Sequence, residues 1–321
     1  ECLWKLAKWL CYCRLLAFSD TFSGSKWEES NLNPLISAPP GDTILIKRED
    51  GTQLRCISTN EGPTVVLAHG VFNDLRCFNL VTEKLIEEDC RVILFDQRGH
   101  GASTLGANGF DPRQMAADYQ AVLEHFAVAG GVLAGHSMGA CLAVILAQQS
   151  PDVVHQHLQG LVLISGHAGN VAKGSAQNQL QIPLIKLGLL SAILSSKRLG
   201  QAFVRSLFGK VAPKEHVEAM RRIVSGHDTR EAAALVNFQV KEDYYPGLRR
   251  IDVPTVVLSG ERDKTCPRWH AERLGAEIPS ATNVWLPDIG HMVVYEAPDA
   301  IVSEIMGLFN RTLTDAHSDN C

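Results

Sequence analysis

The feature that most limits how this chain can fold is a repeated alternation of short, continuously apolar runs with segments of helical character. Three such runs are PTVVLAHG at 63–70, RVILFDQ at 91–97 and VLAGHS at 132–137. After each run, the spacing of apolar residues predicts a helix, near 76–88, 112–128 and 138–149. Strands that are apolar on both faces must be covered on both faces, so the pattern indicates an α/β fold with a mostly parallel sheet between helices.

The same pattern continues at both ends of this region. Further strands are predicted at LVLISG (161–166), at VPTVVLSG (253–260) and near 283–286. Two β-prone runs, at 43–46 and 52–58, flank the turn-forming dipeptide Asp50-Gly51 and predict a hairpin that opens the sheet.

Residues 168–247 interrupt the alternation without a convincing strand, and their apolar positions recur at helical spacing. We interpret them as an inserted helical cap. Its apolar residues either pack only among themselves or also line an acyl or aromatic pocket, and the sequence leaves both interpretations open. The predicted organisation begins with an N-terminal amphipathic helix and a proline-rich linker at 1–42. An α/β core follows in two parts, 43–167 and 248–314, with the cap at 168–247 between them and a C-terminal tail at 315–321.

Composition excludes several classes of partner. The formal net charge is −5 and charged residues are interspersed rather than blocked, so no basic surface for nucleic acid is predicted. The nine cysteines form no CxxC pair and are odd in number, which indicates reduced thiols and a cytoplasmic protein rather than a secreted disulfide framework. His155 and His157 have no further ligand at metal-binding spacing, so we predict no metal site.

Residues 1–18 are rich in Leu, Trp and Phe, but Lys5, Lys8 and Arg14 interrupt them. The uninterrupted apolar span is too short for a transmembrane helix. The pattern fits an amphipathic helix that lies either on a membrane surface or on the protein itself. The first alternative predicts peripheral membrane association.

The chemistry is indicated first by Gly135-His136-Ser137-Met138-Gly139, which matches G-x-S-x-G between a predicted strand and a predicted helix. Such a turn strains the serine backbone and aims its hydroxyl at the site, while glycines avoid a collision of Cβ atoms. The helix that begins at Met138 directs its free N–H groups toward the same place. Ser137 is therefore the predicted nucleophile, and the Met138 N–H is a predicted oxyanion donor.

A serine hydroxyl needs a base whose tautomer is fixed by a carboxylate. His291 follows the last predicted strand, and Asp263 follows the strand VPTVVLSG. Both fall at strand ends, where catalytic groups of α/β proteins gather, in the order Ser, Asp, His. Asp288 is a competing acid, Asp263 could instead cap the next helix, and His291 could brace a loop.

A second oxyanion donor is expected in the loop after the first parallel strand. Val71 is the first choice for that donor in His69-Gly70-Val71-Phe72. Phe72 is the alternative donor and otherwise a wall of the substrate pocket. His69 is expected to brace the loop.

With these motifs in place, the chain resembles the α/β-hydrolase superfamily, in its capped esterase and lipase branch, over residues 43–312. The resemblance rests on HGVF, GHSMG, GERD and GHM, and on Asp96-Gln97-Arg98-Gly99-His100-Gly101, which is similar to the family's DxRGxG segment. It implies an α/β-hydrolase fold with an eight-stranded mostly parallel sheet, a cap after the sixth strand, and a two-step acyl transfer without a cofactor. Asp96 and Arg98 are expected to be structural.

The resulting hypothesis is a carboxylesterase or lipase that cleaves a small-molecule ester with an apolar acyl group. Serine at the nucleophile position argues against the epoxide hydrolases and haloalkane dehalogenases of this superfamily, which have aspartate there. A lactonase, a carbon–carbon bond hydrolase or a cofactor-free perhydrolase would use the same triad. A non-catalytic ligand receptor on this fold is the alternative from another class, although a receptor has no need for all three residues.

Overall fold

A computed structural model describes residues 32–227 and 232–318 of the chain. Its centre is one eight-stranded sheet in the order β1-β2-β4-β3-β5-β6-β7-β8. The strands are β1 (Asp42–Lys47), β2 (Gln53–Thr59), β3 (Thr64–Ala68), β4 (Arg91–Phe95), β5 (Gly131–His136), β6 (Leu158–Ile164), β7 (Thr255–Gly260) and β8 (Ala281–Leu286). Strand β2 pairs antiparallel with β1 and β4, and the remaining pairs are parallel. The predicted fold class is thereby confirmed.

The core lies on both faces of this sheet, as continuous apolar strands require. Val65 and Leu67 of β3 belong to one apolar cluster, whereas Val66 and Ala68 belong to the cluster on the opposite face. Helices cover both clusters: α1 (Asn79–Glu87), α2 (Pro112–His125), α3 (Met138–Gln149), α4 (Pro151–His157), α10 (Trp269–Glu277), α11 (Val293–Glu296) and α12 (Pro298–Ser318), with α5 to α9 given below. Helix α3 is buried on every side from Met138 to Ala147, so the serine that precedes it is fixed by the core.

Two further turns are 3₁₀ helices, Leu75–Phe78 directly before α1 and Tyr245–Arg250 before β7. The helix predicted near 76–88 is therefore a 3₁₀ turn followed by α1. The Asp74 carboxylate begins this turn by accepting a hydrogen bond from Arg76 N at 3.0 Å, as an N-cap does.

Between β6 and β7 the described chain forms five helices, α5 (Ala176–Lys186), α6 (Leu189–Ser195), α7 (Lys197–Arg205), α8 (Lys214–Ser225) and α9 (Ala232–Lys241). We call residues 168–247 the helical insertion, because these helices fall where the cap is predicted. Buried residues such as Leu190, Val204 and Ile223 hold it together. Gly169 and Asp243, near its two ends, form an isolated antiparallel bridge, so the insertion leaves and rejoins the core at neighbouring points.

The predicted linker that precedes residue 43 is only partly irregular where the structure describes it. Residues 32–36 form a helical turn, and Leu32 and Leu35 are buried in the same cluster as β3. Apolar contact outweighs the turn-forming residues that follow. The amphipathic helix predicted over 1–18 lies outside the described residues.

Cys56, Cys77, Cys90, Cys141 and Cys266 are buried free thiols, in line with the prediction of reduced cysteines. Among the helices that the structure describes, none combines the length and apolarity that crossing a bilayer requires.

Candidate active site

The turn between β5 and α3 holds Ser137 in a strained conformation, with φ 56° and ψ −113°. A non-glycine residue adopts such a conformation only where the surrounding structure enforces it. A Cβ on Gly135 would lie 2.5 Å from the carbonyl oxygen of Gly139, and one on Gly139 would lie 2.2 Å from the carbonyl oxygen of Ala68. The two flanking glycines therefore let helix α3 approach the sheet closely enough to form this turn.

The predicted acid and base converge on this serine. Oγ of Ser137 lies 3.1 Å from Nε2 of His291, and Nδ1 of His291 lies 2.8 Å from Oδ2 of Asp263. Since a carboxylate only accepts, Nδ1–H donates to Asp263, and Nε2 is left to accept from the serine hydroxyl. All three side chains are buried, so the pairs are shielded from solvent.

The second oxygen of Asp263 is also fixed. Oδ1 accepts hydrogen bonds from the backbone N–H groups of Thr265 and Cys266, both at 2.8 Å. The alternative that Asp263 caps the next helix is wrong, because α10 begins at Trp269 after Arg268, without a side-chain cap, and both donors lie in the loop before it. The backbone donors orient the carboxylate toward the imidazole.

Asp288, the competing acid, points elsewhere. Its Oδ1 accepts from Arg262 Nε at 2.8 Å, and Lys210 Nζ lies 3.5 Å from Oδ2. The hydrogen bond from Arg262 lowers the pKa of this exposed carboxyl. The geometry therefore favours Asp263 as the partner of His291.

The loop that carries His291 is fastened to the helical insertion. The backbone N–H of His291 donates to the carbonyl of Leu207 at 2.8 Å. The Glu296 carboxylate bridges both segments by accepting from Gly209 N at 2.7 Å and from Gly290 N at 3.0 Å. A Cβ on Gly290 would lie 2.4 Å from Gly209 N, so the two backbones touch. The position of the base thus depends on the insertion.

The predicted oxyanion donors lie on the expected elements. Met138 is the first residue of α3, so its N–H has no acceptor within the helix. Val71 and Phe72 line the same cavity as Ser137. Phe72 is buried and has a φ of 57°, which marks a constrained loop at this position.

His69 braces the loop that carries Val71, as expected. Its Nε2 accepts from Gln97 N at 3.0 Å, and its Nδ1 lies 2.8 Å from the carbonyl of Gly70. Asp96 and Arg98 are structural as well. Asp96 accepts from Leu75 N at 2.9 Å, and buried Arg98 pairs with Asp118 at 2.6 Å.

His136 is a site residue that sequence reasoning did not assign. Its Nε2 lies 2.9 Å from the carbonyl of His291, to which it donates. Burial lowers its pKa to about 3, so the imidazole is neutral and supports the loop of His291 without a competing charge. The position of His136 inside G-x-S-x-G indicated that it lies near Ser137. Its contact with residue 291, however, depends on long-range packing.

One cavity opens onto Ser137 and His291 and encloses about 770 Å³ of space, including its open mouth. Its floor comes from the core, and its roof comes from α5, α7, α8 and α9 of the helical insertion. Most of the lining side chains are apolar, among them Val71, Phe72, Val171, Ile182, Ile185, Phe203, Leu207, Met220, Val224, Val236 and Met292. The interpretation in which the predicted cap also lines a pocket therefore agrees with the structure.

Asp263, Cys266 and His291 place potential metal-ligand atoms within 4.8 Å of one another. Asp263 and His291 are already hydrogen-bonded to each other at 2.8 Å. Burial holds the pKa of the Cys266 thiol well above its usual range, which disfavours the thiolate that metals bind. The absence of a metal stays a prediction.

The family is decided by comparison with known sequences. The model of the alpha/beta hydrolase family matches residues 65–304, a span that contains Ser137, Asp263 and His291. The chain belongs to the alpha/beta hydrolase family.

Relatives of this alpha/beta hydrolase are distant. Protein ABHD8 from Bos taurus is 24% identical over 254 residues, which cover 77% of this chain and 56% of that protein. The chain thus spans about half the length of that curated relative. Among solved structures, an esterase from Exiguobacterium antarcticum has a TM-score of 0.70 at 22% identity, covering 82% of this chain and 98% of the other. An enol-lactonase from Burkholderia xenovorans LB400 has a TM-score of 0.68 at 21% identity, covering 83% and 100%.

Buried histidines should make this alpha/beta hydrolase acid-sensitive. Burial lowers the pKa of His136 to about 3, of His167 to about 4 and of His270 to about 2. The unfolded chain therefore binds protons first as the pH falls below ~6.5, and stability drops from there toward the folded-state pKa values. We expect the free energy of unfolding to be at least about 3 kcal/mol lower at pH 5.5 than at pH 7.5.

Urea titrations at both pH values measure this loss. The variant His270→Gln removes one of the three groups and should reduce the pH-dependent loss by about 1 kcal/mol. His125 is exposed, and His125→Gln is the matched control that should keep the full dependence. Equal stability of the unmodified protein at the two pH values would contradict the prediction.

Proposed function

We propose that this protein is a serine hydrolase that cleaves carboxylic esters through an acyl-enzyme. The observation that carries the proposal is the continuous hydrogen-bond relay from Ser137 through His291 to Asp263 at the floor of an apolar cavity. A nucleophile, a base and an orienting acid within hydrogen-bond distance are the elements of acyl transfer.

In the proposed first step, Ser137 Oγ attacks the ester carbonyl while Nε2 of His291 takes the hydroxyl proton. The charge that develops on the imidazole is stabilised by Asp263, whose two backbone donors keep the carboxylate in place. The N–H groups of Val71 and Met138 stabilise the oxyanion. His291 then returns the proton to the leaving alcohol.

In the second step, water attacks the acyl-enzyme, with His291 again as the base. We propose that the helical insertion acts as a cap that excludes bulk water and receives the acyl group. The apolar lining of the cavity favours an aliphatic or aromatic acyl part. No step requires a metal or a cofactor.

Covalent labelling tests the proposal directly. A fluorophosphonate should label wild-type protein at Ser137, and peptide mapping should identify that residue as the labelled one. A ladder of p-nitrophenyl esters from acetate to palmitate then measures the acyl preference as kcat/KM. Absence of both labelling and hydrolysis would overturn the proposal and favour a ligand receptor. Labelling combined with hydrolysis of lactones alone would replace the ester substrate with the lactone alternative.

The N-terminal segment supports a separate proposal about location. Trp4, Trp9 and Phe18 supply interfacial area, and the cations at 5, 8 and 14 could bind anionic headgroups. We expect deletion of residues 1–18 to abolish sedimentation with anionic vesicles while a soluble short ester is hydrolysed at its original rate. Unchanged vesicle binding would contradict membrane attachment. A lower melting temperature with slower turnover of all esters would instead indicate that the segment packs on the enzyme.

A further inference from the structure

Three carboxamide side chains of the helical insertion line the cavity: Asn178, Gln181 and Gln239. Two of them are held by the protein. Nδ2 of Asn178 donates to the carbonyls of Val171 and Thr265, both at 2.8 Å. Nε2 of Gln239 donates to a backbone carbonyl of α9 at 3.1 Å, and its Oε1 lies 3.2 Å from an imidazole nitrogen. Their positions are explained by the fold.

Gln181 differs from both. Only 6% of its surface is exposed, and its Nε2 is buried without a hydrogen-bond partner in the described part of the chain. A buried amide left unpaired costs about 1–3 kcal/mol. Ile182 and Ile185, also on α5, line the cavity beside it, so an apolar residue would suit the packing. An amide at this position is explained if a molecule bound in the cavity supplies the hydrogen-bond acceptor for Nε2.

The occupant's group should be neutral. Among the described lining residues of the cavity there is no Asp, Glu, Lys or Arg. A charged substituent would be desolvated there without a counter-charge, which is far more costly than desolvating a carbonyl or ether oxygen. The amide N–H of Gln181 suits a neutral acceptor oxygen.

We propose that Gln181 is a specificity-determining residue that donates a hydrogen bond to an oxygen in the substrate's otherwise apolar acyl group. The preferred substrate class is then an ester of an oxo-substituted aliphatic acid rather than of a plain alkanoic acid. This inference rests on the proposed ester hydrolysis, because it assigns the acyl group to this cavity.

Matched pairs of p-nitrophenyl esters test the inference. Each pair has the same chain length, from hexanoate to dodecanoate, and one member has a chain methylene replaced by a carbonyl at successive positions. Rates are divided by those for hydroxide-catalysed hydrolysis, which removes the intrinsic reactivity of the oxo esters. Wild-type protein should prefer at least one oxo ester by about 5- to 10-fold in kcat/KM, the range of a net hydrogen bond.

Gln181→Leu should abolish that preference, whereas Ile182→Leu, on the same helix and in the same cavity, should retain it. Gln181→Leu should also melt at the same or a higher temperature, because it removes an unpaired buried amide. If wild-type protein showed no preference for any oxo ester, for example because a water molecule already accepts the hydrogen bond of the amide, the inference would be overturned. An unchanged preference in Gln181→Leu would overturn it as well.

A binding measurement separates this inference from the ester hydrolase proposal. Calorimetry on the Ser137→Ala variant uses methyl ketone analogues of the same chains, with and without the additional carbonyl, and needs no turnover. Tighter binding of the diketone by about 5- to 10-fold, lost when Gln181→Leu is added, would support the role of Gln181 even if no ester were hydrolysed. Equal affinities would refute it even if esters were hydrolysed.

Discussion

Replacing Ser137 with alanine should lower kcat for ester hydrolysis by roughly 10⁴-fold or more. The substitution removes the hydroxyl that is proposed to form the acyl-enzyme, while His291 and the proposed oxyanion donors remain in place. The loss should be confined to catalysis, because the methyl side chain of alanine fits where the serine side chain is already buried. Steady-state release of p-nitrophenol at saturating ester, compared with the unmodified protein at equal concentration, measures the effect on kcat. Turnover near the wild-type rate would show that Ser137 is not the nucleophile.

Ser165 offers a matched control for this substitution. It follows β6 at the same edge of the sheet, and its N–H donates to the carbonyl of Leu258 at 2.8 Å, as the N–H of Ser137 donates to Ile164 at 2.9 Å. Its hydroxyl is buried and has no hydrogen-bond partner within residues 32–227 and 232–318, and its φ is 46°. Ser165→Ala should therefore retain hydrolysis and fluorophosphonate labelling. The comparison shows whether activity is lost because the nucleophile is removed or because any serine at this edge of the sheet is removed.

Replacing Asp263 with asparagine should lower kcat by about 10³- to 10⁴-fold. Asparagine would present an amide N–H to Nδ1 of His291 and so favour the tautomer in which Nε2 carries the proton and cannot accept from Ser137. The binding of substrate should change little, because Asp263 does not line the cavity. Separate determination of kcat and KM on the best ester of the ladder tests this expectation.

Asp288→Asn is the control, since that carboxylate is exposed and pairs with Arg262 and Lys210. It should retain most of the activity. If Asp288→Asn were the more damaging of the two changes, the acid would be assigned to the wrong residue. Circular dichroism of both variants would show whether either loss reflects unfolding.

Local signals in the sequence were enough for most of the core. The apolar runs around 64–68 and 91–95 predicted strands buried on both faces, because no other arrangement hides side chains that point alternately up and down. Helix α3 begins and ends where it was predicted, at Met138 and Gln149. The serine turn before it was predictable because only glycine permits the close approach at 135 and 139. Such features depend on neighbours a few residues away.

By itself, the sequence determined the α/β sheet, the place of Ser137 at a strand-to-helix turn, His291 as the predicted base, and Asp263 as the first of two candidate acids. Only the tertiary structure decided that Asp263 rather than Asp288 faces the imidazole, and that Glu296 and Leu207 fasten the histidine loop to the helical insertion. It also decided that Nε2 of Gln181, a residue that lines the cavity, has no hydrogen-bond partner among the described residues. The physical reason is the distance along the chain over which the deciding interactions act. Strand burial and tight turns are set by short-range sterics and periodicity, whereas the direction of a loop side chain is set by the packing of segments far apart in the chain.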